Sequence, residues 1–310
     1  MAEMMYTVSS SPHIREKSTV QTVMRDVLIA LLPATFAGIY FFKVKALLVI
    51  LVSVLSCVGF EYLWQKLTKQ KITVFDLSAA VTGLLLAFNL PASVPLWIPV
   101  IGSAFAIIIV KQFFGGVGQN IMNPALAGRA FLLASWPVQM TTWTVDGVSA
   151  ATALGVLKEG TGALPAPIDL FLGNIGGCIG ETSVLALILG GAYLIYKRVI
   201  SWHIPVVYIG TVYVLTFILG RHGFMSGNAL YELMAGGLML GAFFMATDYT
   251  TSPITRKGQI IFAIGCGIMT SVIRIYGGYP EGVSYSILFM NLFVPLIDKY
   301  TRPRAFGGGK

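Results

Sequence analysis

Long apolar runs bounded by short polar segments fill the chain from residue 25 onward. A helix needs roughly 20 predominantly apolar residues to cross a bilayer. By that measure 25–42, 44–64, 76–90 and 94–113 read as four spans, followed by a shorter fifth at 121–137. A stretch of small and polar residues intervenes. Then 180–196, 204–220, 230–247, 259–276 and 285–299 bring the set to about ten. Three of them, 76–90, 121–137 and 285–299, are short or interrupted by Gly, Pro or Asn. The predicted fold class is therefore an all-α polytopic membrane protein. Its parts are a polar segment 1–22, a first five-helix half 23–137, a loop 138–179, a second five-helix half 180–299 and a tail 300–310. No apolar h-region opens the chain, so the first span is expected to be its own insertion signal.

Five spans on each side of the loop place the halves upside down relative to one another. Thr82-Gly83-Leu84-Leu85-Leu86 in the third span has a counterpart in Gly236-Gly237-Leu238-Met239-Leu240 in the eighth. Each is followed by a polar break, Asn89-Leu90-Pro91 in one half and Thr247-Asp248 in the other. Matching interruptions in two inverted halves point to a site near the membrane midplane.

Charge orients the chain. With ten spans, both termini share one side, which receives Arg15, Lys17, Arg25, Lys66, Lys69, Lys71, Lys111, Lys197, Arg198, Arg256, Lys257, Lys299, Arg302, Arg304 and Lys310. The opposite side holds Lys43, Lys45, Lys158, Arg221 and Arg274. That bias makes both termini cytoplasmic and the 138–179 loop extracytoplasmic.

Composition supports the class. The 310 residues are 56% hydrophobic and 11% charged, with a mean hydropathy of +0.79. Soluble domains carry about 25% charged residues, so a single water-soluble core is excluded. The net charge of +8 is scattered at the ends of apolar runs and forms no patch that would suit nucleic acid. Cys57, Cys178 and Cys266 are far apart and form no CxxC pair, so the chain cannot supply four cysteines to an iron–sulfur cluster. They read as small buried hydrophobes, with Cys178 close to a membrane boundary and open to sharing with a partner.

Polar residues inside apolar runs are functional candidates because they are expensive to bury. Asp76 reads as a helix cap and Glu61 as a side chain snorkelling to the cytoplasmic surface. Asn123-Pro124-Ala125 is a good helix start, since proline suits the first turn. Arg129, with no basic neighbour, suits a phosphate or a carboxylate. Asp248 closes the eighth span against its own helix dipole, which suggests a partner or a coupling ion. His13, His203 and His222 lack metal-ligand spacing.

The loop holds the most specific motif, Asp146-Gly147-Val148-Ser149-Ala150-Ala151-Thr152. Read bare, it is a turn. It resembles the flavin-attachment signature Asp-x-x-Ser/Thr-Gly-Ala-Thr/Ser, in which a transferase links the phosphate of FMN to the last hydroxyl. The matching hydroxyl is that of Thr152, with Asp146, Ser149, Ala150 and Ala151 as recognition context. Ala150 departs from the signature, which has Gly there. Together with Ser11-Pro12-His13-Ile14, Thr82–Leu86, Asn123-Pro124-Ala125, Ala246-Thr247-Asp248 and Thr301-Arg302-Pro303-Arg304, the motif makes the whole chain resemble one family. It is the RnfD family, a membrane component of the Rnf electron-transport complex, related to a membrane component of the sodium-pumping quinone reductase.

The resemblance implies ten helices in two inverted five-helix repeats, similar to ammonium and urea transporters, in a bacterial cytoplasmic (inner) membrane. It implies FMN on Thr152 by a phosphodiester, with Asn123 and Arg129 facing the flavin or its phosphate and Asp248 in the ion path. A second, non-covalent flavin such as riboflavin is compatible, though the residues give it no site. Electrons would pass between ferredoxin and NAD through flavin-, NAD- and iron–sulfur-carrying partner subunits, with Na⁺ or H⁺ moved across the bilayer. This chain would act as one subunit of an oxidoreductase and hold no complete active site. The alternatives are an autonomous urea/ammonium-type channel or secondary transporter, which leaves Asp146–Thr152 unexplained, and a purely structural anchor, for which Arg129 and Asp248 would be dispensable.

Overall fold

Residues 18–145, 148–149, 152–159, 164–220, 227–278 and 281–303 are described by a computed structural model. The first helix, α1 (Val20–Leu67), opens with a reciprocal cap. Thr19 Oγ1 accepts from the Thr22 backbone N–H at 3.3 Å, and Thr22 Oγ1 accepts from that of Thr19 at 2.9 Å. Its 48 residues are broken at Lys43 (φ 57°, ψ −142°), which divides it into arms 20–42 and 44–67 and matches the predicted boundary between the first two spans. Lys43, Val44 and Lys45 are exposed at the break, so hydrated lysines sit where the chain leaves helical geometry.

The remaining helices of the first half are α2 (Ser78–Phe88), α3 (Trp97–Ala104, continuing in π-helical geometry over Phe105–Gln112) and α4 (Pro124–Ser135). Helix α2 lies directly on α1. A Cβ at Gly83 would stand 2.7 Å from Val54 Cα and 2.8 Å from the Ser53 carbonyl oxygen. Small residues allow such backbone approach between membrane helices. After α2 the chain breaks at Asn89-Leu90-Pro91, and the carbonyls of Phe88 and Leu90 accept from the N–H groups of Gly180 (3.0 Å) and Ile179 (3.1 Å). The broken helix end is thereby satisfied inside protein, as membrane burial demands.

Between the halves lie α5 (Pro137–Thr141), a two-residue antiparallel ladder of β1 (Thr144–Val145) with β2 (Val148–Ser149), α6 (Ala153–Glu159) and α7 (Pro167–Leu172). The ladder, which pairs Thr144 with Ser149 and Val145 with Val148, is a small departure from the all-α expectation. The second half contains α8 (Val184–Tyr196), α9 (His203–Leu219), α10 (Ala229–Met234), α11 (Leu238–Leu240, continuing over Gly241–Met245), α12 (Arg256–Tyr276) and α13 (Val283–Thr301). The eighth predicted span, 230–247, is thus two pieces. They are separated at Ala235-Gly236-Gly237, where Gly236 adopts φ +69°, a conformation that suits glycine.

Among the described residues, two helices, Val20–Leu67 and Arg256–Tyr276, are long and apolar enough to cross a membrane. Only 28% and 44% of their most apolar windows are buried in the protein. The rest of those windows is apolar surface, which suits lipid rather than water. Four shorter apolar helices, Ser78–Phe88, Trp97–Gln112, Val184–Tyr196 and His203–Leu219, accompany them.

Candidate functional site

Helix α4 starts where the sequence predicts. Pro124 occupies the first turn, and Asn123 Oδ1 accepts from the N–H groups of Ala125 (3.0 Å) and Leu126 (3.3 Å). The cap consumes donors that would otherwise face a ligand. Asn123 Nδ2 donates to the carbonyl of Met245 at the end of α11 (3.3 Å). On the same helix, Arg129 is buried and gathers groups from three other parts of the chain. Nη1 donates to Asn89 Oδ1 at 3.0 Å, to Ser284 Oγ at 3.0 Å and to Glu181 at 3.4 Å. Nη2 pairs with Glu281 and reaches Cys178 Sγ at 3.8 Å. Of the two partners that the residue type suggests, phosphate or carboxylate, the protein itself supplies carboxylates.

Thr152 lies beside this cluster. A small cavity of about 20 Å³ is lined by Thr152, Gly176, Gly177, Glu181, Thr182 and Glu281, among others. Thr152 Oγ1 accepts from the Gly155 N–H at 3.1 Å at the start of α6, and the residue is half-buried. Helix α6 is held at both ends. Leu154 packs against Gly236, and Lys158 Nζ donates to the carbonyls of Gly277 (2.6 Å) and Gly278 after α12. Ser149 lies in β2, while Asp146, Ala150 and Ala151 fall outside the described residues.

Asn123 and Asp248 belong to a second, larger cavity of about 80 Å³. Its walls include Ser78, Thr82, Lys111, Asn120, Thr247 and the ring of Phe244. Asp248 follows α11 and organises a turn, its carboxylate accepting from Thr251 Oγ1 at 3.0 Å. A hydrogen-bonded chain joins the two cavities. Asn123 binds the Met245 carbonyl, and Asn89 Nδ2 contacts Met245 Sδ at 3.7 Å. Asn89 Oδ1 binds Arg129, which binds Glu181 and Glu281 on the wall shared with Thr152.

Several sequence expectations change here. Glu61 does not snorkel: it is wholly buried and pairs with Lys111 at 2.9 Å, while Gln112 Nε2 donates to it at 2.8 Å. Lys111, expected as a cytoplasmic loop charge, is buried and also donates to Ser78 Oγ at 2.7 Å. Arg274, expected on the opposite surface, is buried as well. It donates to the Glu232 carbonyl and carboxylate and to the Ala235 carbonyl at 3.2 Å. Desolvation makes an isolated charge prohibitive, so each cation has drawn in a partner from a distant segment. Asp76 is not the N-cap of α2, a position that Leu77 occupies in left-handed geometry; it closes the short turn Val74–Asp76 before the helix and accepts from the Ser78 N–H at 2.8 Å. Cys178 is buried beneath Arg129, its thiol donating to the Asn89 carbonyl at 3.3 Å.

Sequence reading missed Glu181, Glu281 and Ser284 as members of the site, and read Asn89 only as part of the break that ends the third span. The available signal was a glutamate in an apolar setting at Gly180-Glu181-Thr182 and another at Glu281-Gly282, just before a span.

Comparison with known proteins gives a consistent answer along the chain. Residues 7–307 match the model of the NQR2, RnfD, RnfE family. The chain is 55% identical, over 99% of its length and 97% of the relative's, to the D component of the Na(+)-translocating ferredoxin:NAD(+) oxidoreductase complex of Acetobacterium woodii. It is 51% identical to the D component of the proton-translocating ferredoxin:NAD(+) oxidoreductase complex of Clostridium ljungdahlii, over 97% and 96% of the two chains. The D component of the ion-translocating oxidoreductase complex of Stutzerimonas stutzeri is 42% identical, over 94% and 93%.

Proposed function

The chain belongs to the NQR2, RnfD, RnfE family, and from that premise we propose that it is the RnfD membrane component of an ion-translocating ferredoxin:NAD⁺ oxidoreductase, carrying FMN on Thr152. Its partners are the other subunits of such a complex, which hold the NAD and ferredoxin chemistry. The cation moved is Na⁺ or H⁺, as the names of the relatives indicate for them. The observation that carries this reading is the hydrogen-bonded chain from the Thr152 cavity through Glu281, Arg129, Asn89 and Met245 to the cavity walled by Asn123 and Asp248. A channel for a neutral solute has no use for paired buried charges at that place, nor for the Asp146–Thr152 motif.

Thr152 offers FMN a point of attachment, while the cavity beside it, about 20 Å³, is too small to hold the flavin ring itself. Thr152 is half-buried at the rim of its cavity, and its oxygen only accepts in the contact with Gly155. When bound, the flavin supplies one- and two-electron chemistry, and the protein supplies position and electrostatics. Lys158 and Leu154 hold the helix that follows Thr152, so the tether has a fixed origin.

The proposed architecture is ten spans in two inverted halves, in a bacterial cytoplasmic membrane, with both termini cytoplasmic and Thr152 extracytoplasmic. A correspondence between the halves supports it. In the first, Lys111 at the end of α3 ties down Ser78 at the start of α2. In the second, Arg274 near the end of α12 ties down Glu232 of α10, at the start of the eighth span. Each half thus uses a buried cation on its fourth span to fasten the beginning of its third.

The test is flavin fluorescence of this protein after denaturing gel electrophoresis, expressed with the flavin transferase. Fluorescence is expected in the wild type and in Thr152→Ser, and none in Thr152→Ala. Equal fluorescence in Thr152→Ala would remove Thr152 from the reading.

A further inference from the structure

Arg129 fastens distant parts of the chain to one another. It projects from α4 and binds Asn89 after α2. Its other partners lie just before α8 (Cys178, Glu181) or around the start of α13 (Glu281, Ser284). Backbone pairing closes the same seam, the carbonyls of Phe88 and Leu90 accepting from Gly180 and Ile179. A buried ion pair is on balance no better a fastening than well-packed apolar residues of similar volume. What it has in addition is reversibility, because one member can leave for water and be solvated there.

The two carboxylates hold Arg129 in different ways. Glu181 is 4% exposed, and a Cβ at Gly237 would stand 2.4 Å from its Oε1, so its carboxylate is wedged against the break in the eighth span. Its backbone N–H donates to the Cys178 carbonyl at 3.2 Å. Glu281 is 21% exposed. Gly282 follows it with φ +63° and turns the chain sharply into α13. The Glu281 carboxylate can therefore swing outward while α13 stays in place. Both glutamates line the cavity that Thr152 lines. Beneath the pair lies Cys178, wholly buried, with its Sγ 3.8 Å from Arg129 Nη2.

We propose that Arg129 and Glu281 form a latch. Closed, it seals the Thr152 cavity and covers Cys178. In the working cycle Glu281 leaves Arg129 for water, Glu181 keeps the guanidinium in place, and the cavity opens as far as Cys178. The latch consists of side chains of this chain alone and operates whether or not Thr152 carries a flavin. Only its opening during turnover rests on the reading of the chain as a component of a ferredoxin:NAD⁺ oxidoreductase.

The protein carries its own reporters. Cys57 in α1, Cys178 under the latch and Cys266 in α12 are all wholly buried. A thiol beside a guanidinium reacts readily once water reaches it. The experiment treats the purified complex with N-ethylmaleimide and follows modification of each cysteine by peptide mass spectrometry. At rest, all three are expected to react slowly in the wild type. Glu281→Ala removes one charged hydrogen-bonded contact and should speed Cys178 by about tenfold to a hundredfold, with Cys57 and Cys266 unchanged. The wild type turning over with reduced ferredoxin and NAD⁺ should show the same selective acceleration. Equal acceleration of all three thiols in Glu281→Ala would make the pair a structural fastening and overturn the latch. So would a Cys178 no faster in Glu281→Ala than in the wild type, or no faster in turnover than at rest. A complex that does not turn over with ferredoxin and NAD⁺ defeats the functional reading, and the latch is then decided by Glu281→Ala alone.

Discussion

Lys111 and Glu61 stand 2.9 Å apart with 3% and 0% of their side chains exposed, although 50 residues separate them in the chain. The pair sits where α1, α2 and α3 meet, and Ser78, Gln112 and Gln65 supply its remaining hydrogen bonds. Breaking a buried pair leaves an uncompensated charge, which typically costs about 3–5 kcal/mol. Replacing both members with apolar residues of similar volume is often neutral. Lys111→Met is therefore expected to lower thermal stability in detergent strongly, and the double variant Lys111→Met with Glu61→Leu to recover much of the loss. A double variant no more stable than Lys111→Met alone would show that the pair is not an energetic unit.

The contact of α2 with α1 leads to a second prediction. Any side chain at Gly83 would collide with backbone at Ser53 and Val54, not with a flexible tip. Overpacking of this kind usually costs about 1–3 kcal/mol. Gly83→Val should lower the melting temperature of the purified protein, and Gly59→Val on α1, where a Cβ meets nothing within 4 Å, should not. Equal effects at the two positions would mean that helix propensity, and not the close approach, sets the penalty.

How much of this was legible in the sequence depended on range. The break at Lys43 and the start of α4 at Pro124 could be read because local chemistry decides them: two nearby polar lysines, and an Asn-Pro start. The end of α2 was announced by Asn89-Leu90-Pro91 in the same way. The break at Gly236 was not legible, because glycine is common in uninterrupted membrane helices. Glu61, Lys111 and Arg274 each lie near the end of an apolar run, where a charge normally means the lipid–water boundary. Only the fold shows that each faces inward. Arg129 stood out as a lone cation in an apolar run, but its carboxylates come from positions 52 and 152 residues away, and no local pattern could pair them.

Lys158 anchors the helix that follows Thr152. Its ammonium meets the carbonyls of Gly277 and Gly278 at the C-terminal end of α12, a favourable place for a cation. Such contacts are worth about 0.3–1 kcal/mol each. Lys158→Met should accelerate amide hydrogen exchange in α6 while leaving the core of α12 unchanged. Flavin attachment should persist, since Thr152 itself is intact. Unchanged exchange in α6 would show that packing of Leu154 on Gly236 is sufficient to hold the helix.

Asp248 separates a structural role from a functional one with a single isosteric change. Its carboxylate accepts from Thr251 Oγ1, and its backbone carbonyl accepts from the N–H groups of Thr251 (3.3 Å) and Ser252 (3.1 Å). Asp248→Asn keeps the backbone contacts and an oxygen for Thr251, so the turn should survive with a stability change of less than about 1 kcal/mol. What disappears is a negative charge on the wall of the larger cavity, beside Asn123, Thr82 and Thr247. If that charge attracts the transported cation, the variant complex in proteoliposomes should need a several-fold higher cation concentration to reach half-maximal transport, with its flavin content unchanged. Asp248→Ala should show the same transport defect together with a loosened turn. A wild-type dependence on Na⁺ and on pH in Asp248→Asn would confine this carboxylate to holding the loop between α11 and α12.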